Sequence, residues 1–319
     1  MALPPPTQPA PAAVLVIKLG ALGDFVQALG PFSAIRRHHG GARIVLLTTG
    51  PYRELAEASG FFDEVWTGGR PGGVDFAGWI ELRRRMASGG FGRVYDLQTS
   101  DRSSFYRRLF WPGPAPEWSG IARSCSHPHA NPERDSLHTI ERQAEQLEAA
   151  GIAEVPPLDW AALDLSAGRD VSRFGIAGRY VLLTPAGAQH RPGKRWPPDR
   201  FAALARTVAE KEMTPVLLGT AQEKALLAGI AAQCPGARDL AGETSLMDLV
   251  SLGLGAAVAV GNDTGPMHLI ASAGCPSVVL YSNESDPALC GQRGPSVTIL
   301  RRDGLDGLSV AEVVDALAL

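Results

Sequence analysis

Short apolar runs recur along the chain, each closed by a polar or glycine-bearing turn and followed by a segment with an apolar repeat of three to four residues. A short continuous apolar run reads as a strand buried on both faces, and the longer repeat reads as a helix. In the first half this predicts strands at Val14–Leu19, Arg43–Leu47, Asp63–Trp66 and Arg93–Gln98. Helices are expected at Phe25–His38, Tyr52–Ser59, Asp75–Ala87 and Leu137–Ala150, and a loop over 111–135. In the second half the strands fall at Tyr180–Leu183, Pro215–Leu218, Ala256–Val260 and Ser277–Tyr281. The helices there fall at Pro198–Lys211, Glu223–Gln233, Leu246–Leu252 and Met267–Ala273. Such alternation predicts an α/β protein with right-handed crossovers and helices on both faces of parallel sheets. Two doubly wound, Rossmann-like domains would then face each other across a cleft lined by the carboxyl ends of their strands.

Length agrees with two domains, since 319 residues can bury two separate cores. The expected division is a disordered Pro-rich leader over 1–13, one domain over 14–160, a linker over 161–178 and a second domain over 179–319. The leader carries no positive residue and no long apolar stretch, so it is not a secretory signal. No apolar run approaches the length needed to span a bilayer. Four cysteines without CxxC spacing fit free thiols in a reducing cytoplasm. Net charge is −3, which argues against a nucleic-acid partner. Locally, residues 83–108 hold seven arginines against Asp96 and Asp101, a bias suited to an anionic small or lipid-linked partner or to a solvated helix face. Only four of the thirty basic residues are lysines, and Lys18 and Lys194 both fall in the turns singled out on other grounds.

The chemistry-bearing residues lie where expected strands end. The first strand closes in Gly20-Ala-Leu-Gly-Asp24, which lets a ligand approach the backbone but is not the dinucleotide fingerprint. The third glycine and the ribose acid are both missing, which disfavours a nicotinamide oxidoreductase. Asp24 reads equally well as a helix cap or as a catalytic base. Gln98, Arg102 and Ser103 follow the fourth strand. The loop around Lys194 brings an ammonium to a strand edge, where it can meet phosphate as a point charge. Glu223, just after Gly219, suits ribose hydroxyls. The corner Gly261-Asn-Asp-Thr-Gly265, opening on Pro266, exposes backbone N–H groups and a positive helix end to an anion. Without a ligand the same corner is simply a capped βα turn. Asp263 beside it would accept from sugar hydroxyls or cap the helix. His127 and His129 lack a carboxylate or cysteine at ligand spacing, so no metal site is expected.

In those residues the chain resembles glycosyltransferase family 9, the ADP-heptose:lipopolysaccharide heptosyltransferases. The resemblance runs from about Val14 to Gly294 and rests on five motifs in order. They are Lys18 with Gly20–Asp24, Asp96-Leu-Gln98 with Arg102-Ser103, Lys194-Arg-Trp-Pro197, Gly219 with Glu223, and Gly261–His268. It implies a GT-B architecture with the nucleotide-sugar donor in the C-terminal domain. Gly23, Lys194, Glu223, Asp263, Thr264, Gly265 and His268 would meet that donor. An anionic, lipid A-linked core saccharide would bind the N-terminal domain through Lys18, Gln98 and Arg102. It implies Asp24 as the general base. The chain departs from the family at Gln189-His190 and at Ser282–Pro287, both beside the donor.

The implied reaction is a single inverting displacement that moves a heptose from ADP-heptose to the lipopolysaccharide inner core. No Asp-x-Asp pair occurs, so the expectation is a diphosphate held without metal and no cofactor. The expected place of work is the cytoplasm, at the inner face of the inner membrane. The alternatives are a relative that transfers another sugar from a different nucleotide, and a non-catalytic saccharide-binding protein of the same fold.

Overall fold

The computed structural model describes residues 12–157, 160, 170–188 and 190–317. The expected leader therefore lies outside the described residues except for Ala12 and Ala13, as do Gln189 and residues 161–169 of the expected linker. The chain forms two compact units. Unit 1 is Met1–Gly20, Ala28–Arg134 and Ile140–Leu158, and unit 2 is Ala21–Gln27, Asp135–Thr139 and Asp159–Leu319. Residues 21–27 and 135–139, expected with the N-terminal domain, thus group with unit 2.

In chain order the first elements are β1 (Ala13–Ile17), α1 (Leu22–Val26), α2 (Leu29–His38), β2 (Ile44–Leu47), α3 (Arg53–Ala58) and β3 (Glu64–Trp66). They continue with α4 (Phe76–Ser88), β4 (Phe91–Asp96), α5 (Asp101–Tyr106), β5 (Glu117–Gly120), β6 (His127–Pro128) and α6 (Thr139–Glu148). The strands make one parallel sheet in the order β3-β2-β1-β4-β5-β6. Leu15, Ile17, Val45, Leu47, Val94 and Trp118 build its core, as continuous apolar strands must when helices cover both faces.

Two expectations fail here. Residues 111–135 are not all loop, because β5 and β6 extend the sheet from β4, with Arg93 opposite Glu117. Both are short, and β6 is the edge strand, where Pro128 removes a donor that only an edge can spare. The expected helix Phe25–His38 is two helices, with a break at Gln27-Ala28. Neither residue is a breaker. The division follows packing, since α1 groups with unit 2 and α2 with unit 1.

Unit 2 continues with β7 (Tyr180–Thr184), α7 (Pro198–Glu210), β8 (Thr214–Leu217), α8 (Lys224–Ala231), β9 (Arg238–Asp239) and α9 (Leu246–Gly255). It ends with β10 (Val258–Asn262), α10 (Gly265–Ser272), β11 (Ser277–Tyr281), α11 (Pro287–Cys290), β12 (Val297–Arg301) and α12 (Val310–Ala316). Its parallel sheet runs β12-β11-β10-β7-β8-β9, the same winding as in unit 1. The α/β, doubly wound expectation holds in both units. β10 begins two residues later than expected, which carries Gly261 and Asn262 into the sheet. No helix among the described residues is long and apolar enough to cross a membrane.

Candidate active site

In each sheet the winding reverses beside the first strand, and in unit 2 that point lies between β7 and β10. Ligands of open α/β sheets bind beyond the carboxyl ends of the strands at such a point. The two strands approach so closely that a Cβ on Gly261 would overlap Thr184 Oγ1. Asn262 ends β10 fully buried and ties down the neighbouring loop. Its Nδ2 donates to Pro185 O at 2.8 Å and to Ala186 O at 3.2 Å. Its Oδ1 accepts from Trp196 N at 3.0 Å. Trp196 is itself fully buried, edge-on to Phe201 with centroids 4.9 Å apart, and its indole donates to Leu308 O at 2.8 Å. A buried tryptophan two residues away thus anchors the loop that carries Lys194.

Lys194 Nζ donates to Asp263 Oδ2 at 2.6 Å, with the two side chains only 12% and 8% exposed. Ser285 Oγ donates to the same oxygen at 2.7 Å, and Gln292 Nε2 reaches Oδ1 at 3.2 Å. Tyr281 orients that glutamine by donating to its Oε1 at 2.8 Å. Burial alone would raise the Asp263 pKa, but the hydrogen bonds from Lys194 and Ser285 outweigh it and hold the carboxyl below its ordinary value. Asp263 therefore does not cap α10. The N-cap is Thr264, in extended backbone, and its hydroxyl is buried without a partner. Gly265 and Pro266 open the helix, with the proline where no N–H is needed.

Against α10 lies α1, the segment that unit 2 takes from the N-terminal part of the chain. A Cβ on Gly23 would stand 2.7 Å from His268 Cδ2, and one on Gly265 would stand 2.7 Å from Leu22 Cβ. The two helices touch where each presents a glycine. Asp24 is half-buried on α1, and its Oδ2 accepts from Ala21 N at 3.3 Å. Gln27, at the end of α1, has its Nε2 within 3.4 Å of His268 Nδ1 and donates to Cys290 O (3.3 Å) and Gly291 O (3.1 Å). With the amide donating, His268 accepts at Nδ1 and carries its proton on Nε2, which would lie 2.9 Å from a Cβ on Gly23. Burial lowers the His268 pKa to about 4, against the pull of Asp263 and Asp24, so the ring is neutral at pH 7.

Glu223 follows β8 in the same unit, half-buried, with Oε2 accepting from Thr220 N at 2.7 Å and Thr220 Oγ1 at 3.0 Å. It closes a local capping box, a structural task the sequence reading did not give it.

The three residues expected at an acceptor sit in unit 1 and differ in character. Lys18 is buried and donates Nζ to Leu97 O at 2.9 Å. Beneath it Asp96 is fully buried, and burial raises its pKa to about 6 despite hydrogen bonds from Ser103, Thr99 and Gln98 and the charge of Lys18. Gln98 Oε1 accepts from Leu19 N at 2.7 Å and joins the ends of β1 and β4. Lys18 and Gln98 thus hold the sheet edge together. Arg102 is exposed, with Nη1 on Pro71 O at 3.0 Å and its guanidinium 5.8 Å from the Trp79 ring. His127 and His129 meet carboxylates, Glu117 at 3.8 Å and Glu145 at 3.3 Å. Those partners come from β5 and α6, which local spacing does not reveal.

Gln27, Asn262, Tyr281, Ser285 and Gln292 belong to this site, and the sequence reading gave none of them a role. Asn262 carried a signal in its place before Asp263, and Ser285 lies in the segment Ser282–Pro287 that departs from the family.

The description "Glycosyltransferase family 9 (heptosyltransferase)" fits residues 79–306. Lipopolysaccharide heptosyltransferase 2 of Salmonella typhimurium is 34% identical over 138 residues, and that of Escherichia coli is 33% identical over the same length. Each match covers 40% of this chain and 40% of the relative, so the chain spans well under two thirds of the curated relatives it matches. A family 9 glycosyltransferase structure from Veillonella parvula superposes with a TM-score of 0.81 at 20% identity, covering 97% of this chain and 96% of that one. The E. coli heptosyltransferase WaaC, solved with ADP, gives 0.78 at 20% identity over 96% and 99%. These two likenesses establish the fold. The family description spans more than half of the chain, including the loop of Lys194, the Asp263–Ser285 network and α10, and the protein belongs to glycosyltransferase family 9.

Proposed function

We propose that the protein is an inverting, metal-independent glycosyltransferase that moves a heptose from ADP-heptose to the inner core of lipopolysaccharide. The observation that carries this reading is the Lys194–Asp263 pair beside the first turn of α10, with Asp24 on a helix packed against that same α10. In this reading the donor diphosphate meets Lys194 and the N–H groups after Thr264, whose unpartnered hydroxyl adds a donor. Asp263 positions Lys194, and Glu223 takes ribose hydroxyls with the oxygen that its capping box leaves over. The acceptor hydroxyl gives its proton to Asp24 as its oxygen bonds to the anomeric carbon. The bond from that carbon to phosphate breaks on the opposite face, and ADP leaves with the electron pair. A related E. coli structure solved with ADP-2-deoxy-2-fluoro heptose supports the choice of donor. Of the three unit 1 residues expected at the acceptor, Arg102 is the exposed cation suited to an acidic sugar. The acceptor's lipid anchor places the work at the inner face of the inner membrane.

The test is transfer from ADP-heptose to a heptose-deficient lipopolysaccharide core, with the product's anomeric configuration read by NMR. A melting panel of ADP, UDP, GDP and NAD accompanies it. Stabilisation by UDP or NAD but not by ADP overturns the donor assignment. One observation favours a second reading, transfer of a different sugar. Glu284, in the segment that departs from the family, packs its carboxylate against Gly193, next to Lys194. That adds a negative group where a donor sugar would be recognised.

A further inference from the structure

Five of the six large apolar side chains most exposed in the described protein lie between residues 74 and 111 of unit 1. Val74 is 88% exposed, Phe76 74%, Ile80 69% and Trp111 75%. Phe76 and Ile80 stand one turn apart on α4, whose opposite face buries Leu82 and Met86. Arg83, on the next turn, donates Nη2 to Trp111 O at 2.8 Å and fastens that residue beside the helix. Trp79 meets Phe105 edge-on with centroids 5.7 Å apart, and the Arg108 guanidinium lies 5.8 Å from the Phe105 ring. The apolar residues therefore form one surface across α4, α5 and the Trp111 turn.

Its border is basic. Residues 70–90 and 101–111 contain seven arginines and three carboxylates, Asp75, Glu81 and Asp101. Glu81 is taken up by Arg84 at 2.8 Å. Exposed apolar groups this concentrated mark an interaction surface. A second copy of the chain fits poorly, because a two-fold contact sets one arginine border against the other. A bilayer of anionic lipids fits both features: aromatic and aliphatic tips enter the boundary between headgroups and acyl chains, and guanidinium groups meet phosphates.

We propose that this surface seats unit 1 on an anionic phospholipid membrane, with Phe76, Ile80 and Trp111 entering it and Arg83, Arg84 and Arg108 at its rim. The inference deepens the proposed location of the enzyme. Its test uses no sugar donor or acceptor, so it can fail while the transfer reading stands. The full chain is floated with vesicles of phosphatidylcholine alone and of phosphatidylcholine mixed with phosphatidylglycerol. Binding to the mixed vesicles is expected, weakened by added salt, with at least about tenfold less on phosphatidylcholine alone. The triple variant Phe76→Ser, Ile80→Ser, Trp111→Ser should lose binding about tenfold or more while its melting temperature holds, since all three side chains are exposed. The pair Arg84→Glu and Arg108→Glu should weaken binding independently of those positions. Undiminished binding by the triple variant overturns the proposal, as does equal binding to both vesicle types. A wild-type dimer that the triple variant disrupts, with no vesicle binding, overturns it in favour of self-association.

Discussion

At the scale of single residues, the proposed reading separates groups that would do chemistry from groups that hold them. Asp24→Asn keeps the hydrogen bond to Ala21 N, because asparagine accepts there as well. Turnover should nonetheless fall about 10²–10⁴-fold, with ADP affinity and melting temperature little changed, if Asp24 is the base. Wild-type turnover in that variant would leave Asp24 as a cap only. Lys194→Met should lower the rate about 10²–10³-fold by removing a preorganised charge from the departing diphosphate. It also strands the buried Asp263 carboxylate, and breaking a buried pair typically costs about 3–5 kcal/mol. The double variant with Asp263→Asn should recover melting temperature but not rate, so the two effects are separable by measuring both. Asp96 permits a third prediction. Burial holds its pKa near 6, above the unfolded value, so the folded state binds the extra proton and gains stability as pH falls through 6. His39 and His268, with pKa values lowered to about 4, act the other way and lose stability as pH falls below about 6.5. Asp96→Asn removes the offset, so the unfolding free energy from urea titration should fall further between pH 7 and pH 5 than in the wild type, by about 1 kcal/mol. An equal fall in both proteins would mean that Asp96 is ionised throughout.

At the scale of elements, what matters is that α1 rests on α10. Asp24 and the corner after β10 then share one support, so under the proposed reading the base would not depend on a loop of its own. The contact is made through Gly23 against the His268 ring and Gly265 against Leu22, and Gln27 latches it. Gly23→Ala places a methyl group 2.7 Å from His268 Cδ2, too close to stand without a shift. Overpacking of this kind typically costs about 1–3 kcal/mol. The expected outcome is a lower melting temperature together with a fall in kcat that exceeds any change in ADP affinity. A variant with unchanged kcat would show that the seat of α1 is not what positions Asp24.

At the scale of the whole molecule, the division of labour is between two sheets wound in the same order. Under the proposed reading, unit 2 would take the donor phosphates at the Lys194–Asp263 pair and the exposed basic charge of unit 1 would meet an acidic acceptor. Raising ionic strength should therefore raise the KM for an anionic acceptor, since exposed charges are screened beyond about 10 Å at 0.1 M salt. The KM for the donor should change less, because Lys194 and Asp263 are mostly buried. Steady-state kinetics across a salt series, in the wild type and in Arg102→Ala, reads both. An acceptor KM indifferent to salt and to Arg102 removes that residue from recognition.

The sequence by itself determined the class of fold and where its charged and glycine-bearing corners fall. Apolar strands covered on both faces are continuous in sequence, and the turns that follow carry their glycines, prolines and charged residues locally. Ser277–Tyr281 was legible to the residue, and the turns that carry Lys194 and Asp263 could be picked out before any contact was known. Only the tertiary structure decided that Lys194 and Asp263 are partners, since they stand 69 residues apart and the pair forms when β7 and β10 lie side by side. It also decided that Lys18 and Gln98 hold the sheet edge together, because burial is a property of what packs above a residue. The same holds for the split between α1 and α2. Helical periodicity runs unbroken from Phe25 to His38, and the break at Gln27-Ala28 falls where residues 21–27 group with unit 2 and α2 with unit 1.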